Sequence, residues 1–401
     1  MLRRYTILRE IPAAPAKRRG GVLPAGRLGT RAAGERGAAR EFELHGAELS
    51  SREVADVARD PTVSSIAPTM PTRLIQPLSV KTKKAAAKAD AWGVVAVGAT
   101  KSKFDGSGVA VAVLDTGVDT AHPAFVGVAF EERDFTGTGN GDQNGHGTHC
   151  AGTIFGRDVQ GMRIGIARGV SRALVGKVLD ANGRGDSDSL YQGMQWAMDN
   201  GAKVISMSIG FDFPGLVKEL VEVDGLRIDV ATSLALDAYR RNLRTFDAVM
   251  RFVDIRSDTD TGPIVVAAAG NESGRDEKPP YEIAVSLPAA ASGVISVGAL
   301  GPGRKGFVIA DFSNTLPVVS APGVAITSAS PGGGLATMSG TSMATPHVAG
   351  VAALWWQAAA TGRQRLTART VESSMRARAT TDGLSTQAQA ADYGDGLVRA
   401  P

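Results

Sequence analysis

With a single cysteine, Cys150, the 401-residue chain cannot carry an internal disulfide framework. An excess of one charge is lacking too, since 44 basic and 40 acidic residues leave a net +4. A pI near 9.2 is then weak ground for a nucleic-acid partner, and no motif of that class accompanies it. No segment approaches the ~18 consecutive apolar residues that cross a bilayer, so no membrane partner is expected. Met1 to Gly21 is basic and broken by charge, without the apolar core of an export signal, which makes a cytoplasmic location the default expectation. His146, His149 and Cys150 could share a helix face, but the His-Glu-x-x-His pattern and a second cysteine are missing, so zinc is not expected. What is present is a chain that is 43% hydrophobic and long enough for one large domain and a smaller one.

The texture divides in two. Residues 1–80 open with a strand-like Tyr5-Thr6-Ile7-Leu8, followed by a Gly/Arg/Ala-rich loop from Lys17 to Arg40. Phe42-Glu43-Leu44-His45, a helix near Ser51–Arg59 opened by a serine cap, and a strand at Val63–Ile66 complete a small α+β module. A Pro-, Lys- and Ala-rich stretch from Pro68 to about Lys88 reads as an exposed connector, with residues 81–91 as the linker proper. From Trp92 to the end, apolar runs alternate with helical stretches: Val109–Leu114, Leu174–Leu179, Val204–Ser208, Ile264–Ala269 and Val294–Val297. Such runs suit strands buried on both faces, hence an α/β fold with a parallel sheet flanked by helices and a site at the strands' carboxyl ends.

The chemistry concentrates in Gly340-Thr341-Ser342-Met343-Ala344-Thr345-Pro346, a serine at the mouth of an apolar helix. Pro346 is expected in that helix's first turn, where its missing N–H needs no partner. A nucleophilic serine requires a base and an oxyanion donor. His146, in Asn144-Gly145-His146-Gly147-Thr148-His149-Cys150, offers the base; Asp115, in Val113-Leu114-Asp115-Thr116-Gly117, the carboxylate that orients it. Asn271, in Ala268-Ala269-Gly270-Asn271, offers a side-chain N–H to pair with the Ser342 backbone N–H. Singly, each is better read as a turn former, a core histidine, a loop asparagine or a helix cap; together they outweigh those readings. His122 and His347 are read as structural, and Asp180–Asp186 is set aside as a calcium loop because Arg184 interrupts it and a terminal Glu is missing.

These four motifs, in the order Asp, His, Asn, Ser, resemble the subtilisin-like serine proteases, the subtilase superfamily, from about Trp92 to the end of the chain. Cys150 beside His149 is similar to the proteinase K and kexin branches. The resemblance implies a serine endopeptidase with Asp115, His146 and Ser342 as catalytic residues and Asn271 with Ser342 as the oxyanion hole. It implies a peptide substrate added as a strand between Gly183-Arg184-Gly185 and Ser208-Ile209-Gly210, with Ala268-Ala269-Gly270 walling the primary pocket. Arg184, with Asp186 and Asp188, would then bias the charge accepted upstream of the cut. It implies no cofactor for the chemistry, leaves structural calcium open without naming ligands, and, because relatives are commonly secreted, leaves secretion open as well. Residues 1–80 resemble the family's propeptide, an intramolecular inhibitor and chaperone, with self-cleavage expected between about Thr69 and Ala91. Residues 210–262 exceed the common family pattern and include an amphipathic Thr232–Val253 with Leu236, Leu243, Phe246 and Val249; a longer surface helix is the preferred reading and an exosite the other. A peptide-processing or transpeptidating enzyme inside the cell and a catalytically silent binding protein are the competing functions.

Overall fold

The structure is a computed structural model that describes residues 2–12, 40–78, 90–257, 261–362 and 366–401. The arginine-rich loop before Arg40, and the linker 81–91 apart from Asp90 and Ala91, lie outside the described residues. Strand β1 (Arg3–Pro12) pairs antiparallel with β2 (Arg40–Leu49) and with β3 (Val63–Pro68), in the order β2-β1-β3. Helix α1 (Ser51–Val57) joins β2 to β3 and begins in a capping box, in which the Ser50 side chain and Glu53 satisfy each other's backbone N–H. No residue of α1 is buried. The small sheet therefore does not use its own helix as a core: Leu8, Phe42 and Leu44 pack instead against helices of the larger part of the chain.

Strand β4 (Pro71–Leu74) follows, then α2 (Trp92–Ala96) and the elements of the larger part of the chain. These begin with β5 (Ala110–Asp115), β6 (Ala129–Asp134), α3 (His146–Phe155), β7 (Arg172–Lys177), β8 (Arg184–Asp186) and α4 (Ser187–Asp199). They continue with β9 (Val204–Met207), β10 (Ile209–Phe211), α5 (Phe213–Glu222), α6 (Ile228–Ser257) and β11 (Ile264–Ala268). They end with β12 (Ile295–Gly303), β13 (Gly306–Ile309), β14 (Val319–Pro322), a β15–β16 hairpin (Ile326–Ser330, Gly334–Met338), α7 (Thr341–Ala360) and α8 (Ala368–Ala377).

The main sheet has the order β13-β12-β11-β9-β5-β7-β6, with β14 also beside β12, and is parallel except for β13. The five apolar runs of the sequence supply five of its strands. Period-two alternation divides β5 between two cores: Val111 and Val113 join Ile154 of α3 and Val348 and Val351 of α7, while Ala112 and Leu114 join Leu190 of α4 and Phe246 of α6. Both faces are covered, which is why these strands read as continuous apolar runs.

The longer segment 210–262 forms α5 and α6. Phe246 and Val249 of α6 are buried, but Leu236 faces solvent, contrary to the expected apolar stripe, because the inward face at that level is made by Ala231, Ala235 and Ala238. Far from standing alone on the surface, α6 carries the N-terminal sheet. Asn242 donates its Nδ2 to the Pro68 carbonyl at 2.8 Å, and the Ser65 and Thr245 hydroxyls meet at 2.5 Å. On the neighbouring α4, Gln195 donates to the Phe42 carbonyl at 3.2 Å. The buried Asp188 carboxylate accepts from Arg4 at 2.7 Å, Thr6 at 3.0 Å and Gln192 at 3.0 Å.

Candidate active site

Asp115 ends β5, at the carboxyl edge of the sheet, and His146 starts α3 directly above it. Gly145 turns the chain into that helix at φ +98°. Gly147 lets the first turn sit on the strand end, since a Cβ there would lie 2.0 Å from the Gly117 carbonyl oxygen. The imidazole Nδ1 donates to both carboxylate oxygens of Asp115, at 2.8 and 3.0 Å, and the Thr116 N–H donates to Oδ1 at 2.8 Å. Both side chains are buried. Burial by itself depresses the imidazole pKa, but the Asp115 carboxylate, with Cys150, outweighs it and holds His146 well above the ordinary histidine value. Among the described residues its Nε2 has no hydrogen-bond partner.

Lys177, the cross-strand partner of Asp115, is also buried and donates to the Thr116 and Gly141 carbonyls and to Gln143 Oε1, at 2.9, 3.0 and 2.7 Å. It thus ties the turn after Asp115 to the loop that leads to His146. Sequence reasoning passed over it, because it lies inside the apolar run Leu174–Leu179 and nothing local marks the acceptors that meet it.

Ser342 lies in the first turn of α7, which begins at Thr341. Pro346 is consequently inside the helix, not in its first turn as expected. Its missing N–H would have bonded the Ser342 carbonyl four residues back. That oxygen is taken up instead by Ser208 Oγ at 3.3 Å and by the Cys150 thiol at 3.5 Å. The proline thereby joins the serine's backbone to the His146 helix and to the groove segment. Cys150 Sγ lies 3.8 Å from His146 Nδ1, and burial raises the thiol pKa, so it behaves as a packed hydrophobe. Asp115, His146 and Cys150 bring three ligand-type atoms within 4.8 Å of one another, but the carboxylate and imidazole among them are already bonded to each other.

Asn271 follows β11, and its amide is fixed from the Ser342 helix: Oδ1 accepts from the Thr341 N–H and hydroxyl, both at 2.8 Å. Nδ2 is thereby aimed into the groove. Ala268 and Ala269 are buried just before it, and the Ala269 N–H and carbonyl bond Val297 and Asn314. Among the described residues, the hydrogen bonds of the groove's occupant go to other segments than Ala268–Gly270.

That occupant is the chain itself. Strand β4 lies antiparallel between β8 and β10, with Arg73 opposite Arg184 and Gly210, Thr72 opposite Gly185, and Leu74 opposite Ile209. The Leu74 N–H donates to the Gly183 carbonyl at 2.8 Å and the Ile75 N–H to Ser208 at 3.4 Å. Ser342 Oγ donates to the Ile75 carbonyl at 3.1 Å, and Asn271 Nδ2 to the Gln76 carbonyl at 3.0 Å. Leu78 then pairs with Ser339 in both directions. Met70, Leu74 and Ile75 are buried, which corrects the reading of this stretch as an exposed connector. Prolines 71 and 77 deny it helix and suggest a loop, yet an extended strand with free backbone groups on both edges is what a two-sided groove accepts.

Three further histidines are held within the structure. His149 donates Nε2–H to the Ile326 and Ala336 carbonyls, and burial with the His146 cation lowers its pKa to about 3. His347 bonds the Met343 carbonyl and is held by burial at about 4. His122 bonds the Ala124 N–H and the Gly334 carbonyl. Asp180 closes its own turn by accepting from the Asn182 and Arg184 N–H groups, both at 2.8 Å. Asp186 caps α4 and Asp188 faces β1, so neither carboxylate looks into the groove.

A model of the subtilase family matches residues 106–396. The chain belongs to the subtilase family. An intracellular serine protease of Paenibacillus polymyxa is 36% identical over 255 residues, 62% of this chain and 67% of its own. M-protease of Shouchella clausii (strain KSM-K16) is 33% identical over 313 residues, 77% of this chain and 67% of its own. Subtilisin BL of Lederbergia lenta is 34% identical over 269 residues, 66% of this chain and 82% of its own. The subtilase is a subtilisin-like serine endopeptidase acting on protein or peptide substrates, with chemistry that needs no cofactor.

Proposed function

We propose that this subtilase cuts peptide bonds through Asp115, His146 and Ser342, and that it is made as a self-inhibited precursor. Residues 1–80 are the inhibitor, 81–91 hold the linker, and 92–401 form the catalytic domain. Ser342 Oγ attacks the carbonyl carbon while His146 Nε2 takes its proton; collapse of the tetrahedral intermediate breaks the C–N bond as the imidazolium returns the proton to the amine. Water then repeats the sequence on the acyl-enzyme. Asp115 holds the imidazole tautomer, and Asn271 Nδ2 with the Ser342 N–H stabilises the oxyanion.

The observation that carries this reading is the bound strand. It occupies the groove as a substrate would, but Ser342 and Asn271 hold successive carbonyls, those of Ile75 and Gln76. Attack needs one carbonyl at both. In this state the serine proton is directed at Ile75, His146 Nε2 is unpartnered, and the raised imidazole pKa favours the protonated form, which is no base. Release of the strand frees both groups to meet one substrate carbonyl. The test incubates the full chain and its Ser342→Ala variant in parallel and reads fragments by mass spectrometry. The wild type is expected to lose its N-terminal part by cleavage between Thr69 and Ala91, and the variant to stay whole. Loss of that part from the pure variant would eliminate self-processing, and failure of a fluorophosphonate to label Ser342 in the activated chain would eliminate the nucleophile.

A further inference from the structure

The strand in the groove also shows what surrounds each of its side chains. Ile75 is buried over Gly210, where an added Cβ would sit 3.5 Å from its Cγ1. Two residues upstream, on the same face of the strand, the Arg73 guanidinium lies between two carboxylates. Its Nη1 is 3.4 Å from Asp212 Oδ1 and its Nη2 is 3.6 Å from Glu272 Oε1.

Neither carboxylate depends on the arginine for its position. Asp212 is the N-cap of α5, its Oδ1 accepting from the Gly215 N–H at 3.0 Å. Glu272 follows Asn271, and its Oε2 accepts from Nδ2 of the buried Asn314 at 2.8 Å. Asn314 is itself fixed through its Oδ1, which takes the Glu272 and Ser273 N–H groups at 3.1 Å. The two anions are thus anchored by the wall of the groove: Glu272 turns its second oxygen to the strand, and Asp212 shares its Oδ1 between the α5 cap and the strand. Asp212 lies near the start of segment 210–262, which exceeds the family pattern, so this extra segment borders the substrate path.

We infer that Asp212 and Glu272 form a subsite for a basic side chain two residues before the carbonyl that meets Ser342, so that the enzyme favours peptides of the form (Arg/Lys)-apolar-apolar. The inference rests on the strand marking the substrate path, as in the proposed function. Arg184 stands opposite Arg73 in the ladder, and its cation works against the preference. Arg73 and Glu272 are about two-fifths exposed, so water and salt screen the attraction and the preference is modest, about two- to fivefold.

Two measurements on the full chain decide it. In the Ser342→Ala background, amide hydrogen exchange at Leu74 and Ile75 reports release of the strand without any catalysis. Arg73→Gln, and separately the pair Asp212→Asn with Glu272→Gln, should each speed exchange about two- to fivefold, and combining them should add little beyond either. Unchanged exchange in the carboxamide pair, or strictly multiplicative effects, overturns the subsite. In the activated wild type, quenched peptides Thr-X-Leu-Ile-Gln should be cut in the order X = Arg, Gln, Glu. The differences in kcat/KM should shrink at high salt, vanish in the carboxamide pair and widen in Arg184→Gln. Hydrolysis without regard to X overturns the inference. Hydrolysis of no peptide at all counts against the proposed function, and the exchange cycle then decides the subsite alone.

Discussion

Leu74→Ala should unlock this enzyme. The Leu74 side chain is buried in the groove, and among the described residues the strand's release is what would expose it. Removing its three terminal carbons forfeits about 0.8 kcal/mol per buried carbon, roughly 2–3 kcal/mol in all, with any cavity left behind adding to the loss. The backbone bond from Leu74 to Gly183 is unaffected by the change, so the loss falls on the side chain alone. As every 1.4 kcal/mol is a factor of ten, the open fraction should rise about 30- to 150-fold while the closed state still dominates. A fluorophosphonate reports this directly, since it reaches Ser342 only when the Ile75 carbonyl has left the hydroxyl. Initial labelling rates of full-length wild type and variant, with chain integrity checked on a gel, give the ratio. Equal rates would mean that Leu74 does not hold the strand down, and the inhibitor reading of residues 71–78 would fail with it.

Asn271→Ala is expected to lower kcat of the activated enzyme by about 10²–10³ with little change in KM, because in the proposed mechanism its Nδ2 serves charge that develops only in the transition state; unchanged turnover takes Asn271 out of the mechanism. Self-cleavage of the intact chain should accelerate as pH rises through and above the usual histidine range. The raised pKa keeps His146 protonated through that range while the strand is bound, and in the proposed mechanism only the neutral imidazole is a base. A rate that falls with pH from 6 to 9 would contradict this. Lys177→Met should cost about 1–3 kcal/mol, since the buried Thr116 carbonyl loses its donor while the part-buried Gly141 and Gln143 oxygens can turn to water. A denaturation midpoint equal to wild type would show those oxygens satisfied some other way.

The α/β class and the positions of its strands were legible because both-face burial leaves a local mark: Val109–Leu114 and Ile264–Ala269 are apolar at every step. The α1 cap was legible for the same reason, since Ser50 and Glu53 are three residues apart and need nothing else. Pro346 was misplaced because its tolerance is not local. The carbonyl that it leaves unbonded is met by Ser208 and Cys150, from 134 and 192 residues away in sequence. The connector 68–78 was misread as exposed because a strand's burial depends on edges supplied by β8 and β10, not on its own composition. Lys177 escaped notice because the acceptors that justify burying it come from two other loops.

The sequence by itself determined the chemical groups and their order: a carboxylate, an imidazole, an amide and an alcohol, each set at the end of a strand or the start of a helix by residues within a few positions of it. The tertiary structure alone decided what fills the groove, which carbonyl each group touches, and that Asp212 and Glu272 flank one guanidinium. Local patterns follow from backbone geometry over a turn or a pleat, whereas register between distant segments depends on packing that no short stretch contains.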